Sequence, residues 1–300
     1  MKIGFIGFGE ASYCISKGIR EQNAVDIYAY DSLCSSSEQG CVVKARAEEC
    51  GVELLNCANE VAVLSDVLFA SVPSSKTLDV CEEVADSLRN GQIYADVSAS
   101  TPATKEQIWS TLKSGGVLFV DAAMLGSLPQ DLHRVPITAS GNGAKAFYDL
   151  MTPLGMRITL AGERPGAASA IKLVRSIFMK GLAACFFEML LAADAYGVCD
   201  EVVTSAAESL DGIPFVEHLN RLVTGTSIHA ARRAAELKGS AAMLEECGLD
   251  SSMTEAAILK HELVGKFGFA ERYAGRKPSD WREVIQLMQS CRALEGKACP

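Results

Sequence analysis

The sequence predicts an α/β fold, a doubly wound and mostly parallel sheet, followed by an all-α domain. Three observations carry that prediction. Short β-rich runs alternate with helical stretches through about the first 160 residues. A glycine turn follows the first run and opens a helix. After Gly162 the strand signal stops, and the remaining chain is Ala/Leu/Glu-rich with helical periodicity.

The runs KIGFIG (2–7), VDIYAY (25–30), DVLFASV (66–72), QIYADVS (92–98) and VLFVDAA (117–123) are bounded by turn residues and separated by helical patterns. Alternation of this kind predicts a parallel sheet covered by helices on both faces. VPITAS (135–140) and MRITLAG (156–162) extend it. Pro165 in GERPG (162–166) suits the first turn of a following helix, which places the boundary between a 1–163 nucleotide-type domain and a 164–300 helical domain. Within the latter, segments near 166–195, 200–209, 214–222, 227–247, 251–266 and 280–293 read as helices. The first of these is apolar nearly all round, a pattern that predicts burial.

Composition narrows the function. The chain of 300 residues is 49% hydrophobic and 22% charged, with net charge −9. It has no Lys/Arg-rich run, so a nucleic-acid partner is not expected. Lys180 and Glu188 interrupt the most apolar stretch, and the N-terminal run lacks the flanks of a signal peptide, so a cytosolic protein with no membrane partner is expected. The eleven cysteines show no CxxC spacing and their number is odd. They read as reduced thiols, neither a disulfide scaffold nor a zinc site, and the four scattered histidines offer no metal spacing.

The turn itself is Gly7-Phe8-Gly9-Glu10-Ala11-Ser12. In strand–turn–helix context it is the Rossmann fingerprint: the first glycine permits the tight turn, and the second lets backbone approach a pyrophosphate resting on the helix N-terminus. Ser12 replaces the third glycine and is small enough for close packing. Asp31 ends the second strand, where a carboxylate binds the ribose hydroxyls of an adenosine and repels a 2′-phosphate. The cofactor expected is NAD or NADP, with NAD favoured. Val72-Pro73-Ser74 and Ser98 lie at the carboxyl ends of later strands, the edge at which such sheets bind ligands. Ser100 and Thr101 read as helix caps.

The glycine turn, DAAMLG (121–126) after a strand, and GAASAIKLVRS (166–176) occur in the order found in β-hydroxyacid dehydrogenases. The chain resembles that superfamily, which includes 6-phosphogluconate and 3-hydroxyisobutyrate dehydrogenases. It is similar in particular to the subgroup of phosphogluconate-dehydrogenase-like NAD-binding proteins with a distinct C-terminal domain. The resemblance implies that Lys172 is the catalytic lysine and that the Asp121–Ser127 segment, with Leu125 and Gly126, binds substrate. It also implies a homodimer formed through the helical domain. The family asparagine four residues after the lysine is Ser176 here, only Gly126 remains of a glycine pair, and Ala99 stands where relatives carry Thr or Asn. These departures bear on substrate identity.

Residue chemistry agrees with the resemblance. Oxidising an alcohol sends a hydride to the nicotinamide and a proton to a base, and a lysine serves when burial and cationic neighbours lower its pKa. Spacing of four sets Lys172, Ser176 and Lys180 on one helix face, with Arg175 close by. That face supplies the local positive potential an acidic protein needs for a small anionic hydroxy acid or sugar acid. If the hydroxyl is β to the carboxylate, the keto product can decarboxylate. The cluster HAARRAAELKG (229–239) has two readings: Arg233 and its neighbours complete the pocket, or they form a solvated face with an Arg232–Glu236 pair. An imine reductase and a non-catalytic nucleotide sensor are the alternative functions.

Overall fold

The computed structural model describes residues 1–36 and 38–295, with the side chains of 292–295 excepted. Two compact units emerge, Met1–Ile177 and a second from Phe178 onward. The first contains an eight-stranded sheet. In chain order its elements are β1 (Lys2–Ile6), α1 (Glu10–Arg20), β2 (Asp26–Tyr30), α2 (Gln39–Cys50), β3 (Glu53–Leu54), α3 (Ala58–Leu64), β4 (Val67–Ala70) and α4 (Thr77–Val84). They continue with β5 (Ile93–Asp96), α5 (Pro102–Leu112), β6 (Leu118–Met124), α6 (Leu128–Asp131), β7 (Ile137–Ser140), α7 (Ala144–Met151) and β8 (Ile158–Leu160).

The strand order is β3-β2-β1-β4-β5-β6-β7-β8, so the direction of winding reverses between β1 and β4. Every neighbouring pair is parallel except β6 with β7. All seven predicted strands are present. The two-residue β3 was missed because it is too short to carry a pattern.

Alternation along each strand builds two cores, since successive side chains point to opposite faces. Phe5 and Phe69 join one core while Ile6 and Leu68 join the other; Ala95 and Tyr94 divide in the same way. The first core holds residues of α1, α2 and α7, the second those of α3, α4 and α5. Phe5 stacks on Phe69 at 4.9 Å, and Phe147 of α7 meets Phe69 edge-on. Each fully buried aromatic of this kind contributes about 1.5–3 kcal/mol of transfer free energy. Burial also silences thiols in these cores: it pushes Cys50 up to about 11 and Cys81 up to about 12.

The helices that follow are α8 (Ala167–Tyr196), α9 (Cys199–Leu210), α10 (Phe215–Glu246), α11 (Ser252–Gly265), α12 (Phe269–Arg272) and α13 (Trp281–Glu295). The unit boundary at 177/178 falls inside α8, so the first turns of that helix belong with the sheet. The predicted break near 223–226 is absent: α10 runs through Thr224-Gly225-Thr226-Ser227 and kinks at His229. Thr224 and Ser227 hydroxyls donate back to carbonyls of the same helix, at 2.8 Å each, which satisfies these poor helix formers locally. Packing against α11 outweighs a propensity cost of about 1 kcal/mol for the glycine.

Two expectations for α8 fail. It is not buried: Ile177 is 76% exposed, Phe187 72% and Leu191 56%. An all-apolar surface demands cover, but the demand does not say which molecule supplies it. Nor do Lys180 and Glu188 disqualify it by hydropathy; among the described residues α8 is the one helix long and apolar enough to cross a membrane by length and composition.

Candidate active site

The site is built at the carboxyl ends of β1, β4, β5 and β6. Gly7 leaves β1 with φ +86°, and a Cβ there would lie 2.4 Å from the Ser71 carbonyl oxygen, so only glycine fits. Its amide donates to the Tyr30 carbonyl at 2.8 Å, tying the turn to the end of β2. Ser12 is fully buried and its hydroxyl donates to the Gly7 carbonyl at 2.6 Å. The serine that replaces the third glycine therefore staples the turn shut. Phe8 is fully buried, so its side chain is part of the core, and its amide donates to Asp31 Oδ2 at 2.7 Å.

Asp31 Oδ1 accepts from the Leu33 amide at 2.9 Å. Both carboxylate oxygens are thus held by backbone, and each retains a lone pair for a further donor. Gly9 caps α1 with no side-chain hydrogen bond, and a Cβ built on it meets nothing within 4 Å. Open space above a helix N-terminus whose first amides lack a side-chain cap is what a pyrophosphate requires, so this turn fits a dinucleotide.

A cleft of about 340 Å³ opens above the turn. Gly9, Glu10 and Ala11 form one wall, and Val72, Pro73 and Ser74 follow β4 along another. Ser98, just beyond β5, and Lys172 of α8 close it from another side. Residues separated by more than 160 positions in sequence thus converge on one space. Lys172 is half-buried, not dry as an all-buried helix would have made it. Ser98 is almost wholly buried, and its hydroxyl is paired with that of Ser100 at 2.6 Å. Thr101 caps α5 by accepting from the Thr104 amide at 3.2 Å.

Other expected substrate residues lie off this cleft. Leu125 is tied by its amide to the Pro136 carbonyl at 2.8 Å. Gly126 admits a close approach, since a Cβ there would sit 2.8 Å from Pro136 Cδ. Arg175 is exposed and Ser176 half-buried on α8, beyond the lining of the cleft. Lys180 and Arg233 belong to the second unit. There Arg233 donates to the Thr226 hydroxyl, and Arg232 pairs with Glu236 at 3.4 Å as an exposed i,i+4 ion pair.

Sequence reasoning missed Ser71 and Val97, which also line the cleft, as do Ala99 and Met124. Met124 ends β6 and is the residue of the expected Asp121–Ser127 segment that faces this cleft; Ser71 and Val97 sit at strand carboxyl ends, which was the available signal. The start of α8 is anchored beneath the site. Ser169 donates to Asp121 through its amide, 2.8 Å, and through its hydroxyl, 2.7 Å. The Ala168 amide donates to Ser140 Oγ at 3.0 Å. Asp121 and Ser140 are cross-strand partners on β6 and β7, so the sheet caps the helix that carries Lys172.

Residues 2–159 match the family model of the NAD binding domain of 6-phosphogluconate dehydrogenase, and 193–264 match a domain of unknown function, DUF1932. An uncharacterized 28.5 kDa protein of Methanothermus fervidus is 29% identical over 79% of this chain and 88% of its own. A conserved protein of unknown function, whose structure was described as similar to 3-hydroxyacid dehydrogenases, is 28% identical. It covers 89% of this chain and 97% of its own with a TM-score of 0.60. The imine reductase of Myxococcus stipitatus in complex with NADP+ shares the fold, with a TM-score of 0.72 over 96% of this chain and 100% of its own at 16% identity.

Proposed function

The chain belongs to the family defined by the NAD binding domain of 6-phosphogluconate dehydrogenase, and from that premise we propose that it is a nicotinamide-dependent oxidoreductase acting on a small hydroxy acid or sugar acid. The observation that carries the reading is the presence of Lys172 in the same cleft as the Gly9 turn and Ser98. When bound, the nicotinamide accepts or returns the hydride. The Gly9 turn and the N-terminus of α1 hold the pyrophosphate, Asp31 takes the adenosine ribose hydroxyls, and Val72-Pro73-Ser74 flank the nicotinamide half. The Asp31 carboxylate repels a 2′-phosphate, which favours NAD over NADP.

Lys172 takes the alcohol proton in oxidation and returns it in reduction. Ser98 orients the reacting oxygen. Arg175, nearly one turn beyond Lys172 and in the same unit, is assigned to the substrate carboxylate, with Ser176 next to it. Where the hydroxyl is β to that carboxylate, carbon dioxide is lost from the keto product and Lys172 protonates the enolate.

The test is a panel of hydroxy acids and sugar acids followed by NADH and NADPH absorbance, with carbon dioxide monitored separately. Lys172→Ala should lower kcat by at least about 10²-fold, the scale of one acid–base group, while cofactor affinity stays nearly intact. Retention of most turnover, or turnover of cyclic imines alone, overturns the assignment. Cofactor binding with no turnover on any substrate leaves a nucleotide sensor instead.

We assign the protein to the cytosol as a homodimer. The exposed apolar residues of α8 support a second copy as their cover, because Glu188 on that helix is satisfied within the protein. Its carboxylate accepts from the Met253 and Thr254 amides at 2.9 Å each. Sedimentation of a monomer at micromolar concentration contradicts this.

A further inference from the structure

Asp96 and Asp121 are cross-strand partners on β5 and β6, and both are fully buried. Like charges placed opposite one another destabilise a sheet, and a buried carboxylate needs compensation. Lys105, on α5 and itself fully buried, supplies it. Its Nζ lies 3.0 Å from Asp96 Oδ1 and 3.5 Å from Asp121 Oδ1. The same ammonium donates to the Asp96 and Ser98 carbonyls at 3.1 and 3.0 Å, and approaches Ser98 Oγ at 3.4 Å. Each aspartate has further donors. Asp96 accepts from the Thr77 hydroxyl at 2.6 Å and the Ser98 amide at 2.7 Å, and Asp121 from both donors of Ser169.

A structural charge could neutralise this pair without reaching either wall of the cleft. Lys105 touches one wall directly and the anchor of the other. On one side it holds the backbone and hydroxyl of Ser98, which lines the cleft. On the other it meets Asp121, whose carboxylate fixes Ser169, three residues and nearly one turn before Lys172. Gly166, just ahead of α8, closes the arrangement: its φ is +83° and a Cβ there would lie 2.8 Å from the Pro102 carbonyl at the start of α5.

We infer that Lys105 is a positioning residue that sets Ser98 and Lys172 in mutual register through a buried Asp96–Lys105–Asp121–Ser169 connection. It touches neither substrate nor cofactor. The catalytic half of the inference rests on the dehydrogenase reading; the mechanical half does not.

Lys105→Met keeps the length of the side chain and removes the charge. Amide hydrogen exchange should rise together in 97–100 and 168–172 while β1 and α1 keep their protection. A generally loosened fold would raise exchange everywhere. With a turned-over substrate, kcat falls by about 10²-fold, the effect of an ångström-scale misplacement, while the dissociation constant for NADH changes by less than about threefold, because the cluster's hydrogen bonds and ion pairs run to Thr77, Ser98, Ser140 and Ser169, not to the glycine turn. The double variant Lys105→Met/Asp121→Asn serves if the single one does not fold. It removes the charge opposite Asp96 and leaves an amide oxygen for Ser169, and the same loss of kcat and loosening of 97–100 are expected.

Wild-type kcat in either folded variant, or exchange that rises uniformly or in neither segment, overturns the inference. If the wild-type protein turns over nothing, the dehydrogenase reading fails alone, and the paired exchange response still decides whether the two walls are mechanically tied.

Discussion

Gly7 and Gly9 stand two residues apart, yet the structure gives them opposite liabilities. At Gly7 an added methyl meets two obstacles. The backbone sits at φ +86°, where an L-residue costs about 1–2 kcal/mol. The Cβ would also lie 2.4 Å from the carbonyl oxygen and 2.9 Å from the carbonyl carbon of Ser71. Those backbone atoms cannot simply retreat, because the Ser71 amide is bonded to the Ile6 carbonyl at 2.8 Å. Relief of such overpacking costs about 1–3 kcal/mol. Gly7→Ala should therefore destabilise the first unit by about 2–5 kcal/mol. At Gly9 the φ of −75° suits any residue and nothing lies within 4 Å. Gly9→Ala should leave stability unchanged or raised by less than about 1 kcal/mol, through the unfolded chain. Its methyl instead enters the cleft at the pyrophosphate approach. Loss of one charge-assisted hydrogen bond, about 1.5–3 kcal/mol, weakens NADH roughly 10- to 100-fold.

The chain's two tryptophans allow a unit-specific assay. Trp109 lies in the first unit and Trp281 in the second, so urea unfolding in a Trp281→Phe background follows the first unit alone. With a slope of about 1–3 kcal/mol per molar urea, Gly7→Ala should lower the midpoint by about 1 M or more. Equal midpoints for the two alanine variants, or a Gly9→Ala protein with wild-type NADH affinity, would refute the reasoning.

Two further predictions concern buried polar groups in the first unit. The Tyr94 hydroxyl is buried without a partner, and burial drives its pKa well above the ordinary phenol value; Tyr94→Phe should be neutral or stabilising by up to about 1 kcal/mol, and a loss of more than that in the same urea assay contradicts it. His133 is 2% exposed with both ring nitrogens unpartnered, and burial first, then Arg134, lowers its pKa against a smaller opposing pull from Glu21. The fold therefore holds the neutral ring: its stabilisation is complete above the unfolded value of about 6.5 and is lost as pH falls from there through the lower folded value. Urea midpoints measured downward from pH 8 should show this component in the wild type and not in His133→Gln; identical pH profiles would exclude His133 as its source.

Some of the site was legible residue by residue. The glycine turn and Asp31 announce themselves by local spacing, and they do meet, through the Phe8 amide. The helix bearing Lys172 was equally clear, because thirty residues of helical composition need no tertiary information. Ser100 and Thr101 read as caps, and Thr101 is one. The failures share a cause. Lys105 sits in PATKEQIW, a stretch that reads as an ordinary surface helix, and no local pattern says that its side chain turns inward toward two aspartates. Asp96 and Asp121 sit 25 positions apart in apolar runs, and only their register as cross-strand partners makes them a pair in need of a cation.

By itself, then, the sequence determined the parallel winding, the glycine turn, the acid at the end of β2 and the location of the helical region. These are set by periodicity and by backbone preference within a few residues. Tertiary structure decided the antiparallel joining of β6 and β7, the exposure of α8, and the meeting of Ser98, Met124 and Lys172 around one cleft. Those outcomes depend on which distant surfaces cover one another, and burial and charge compensation are properties of that covering, not of neighbours along the chain.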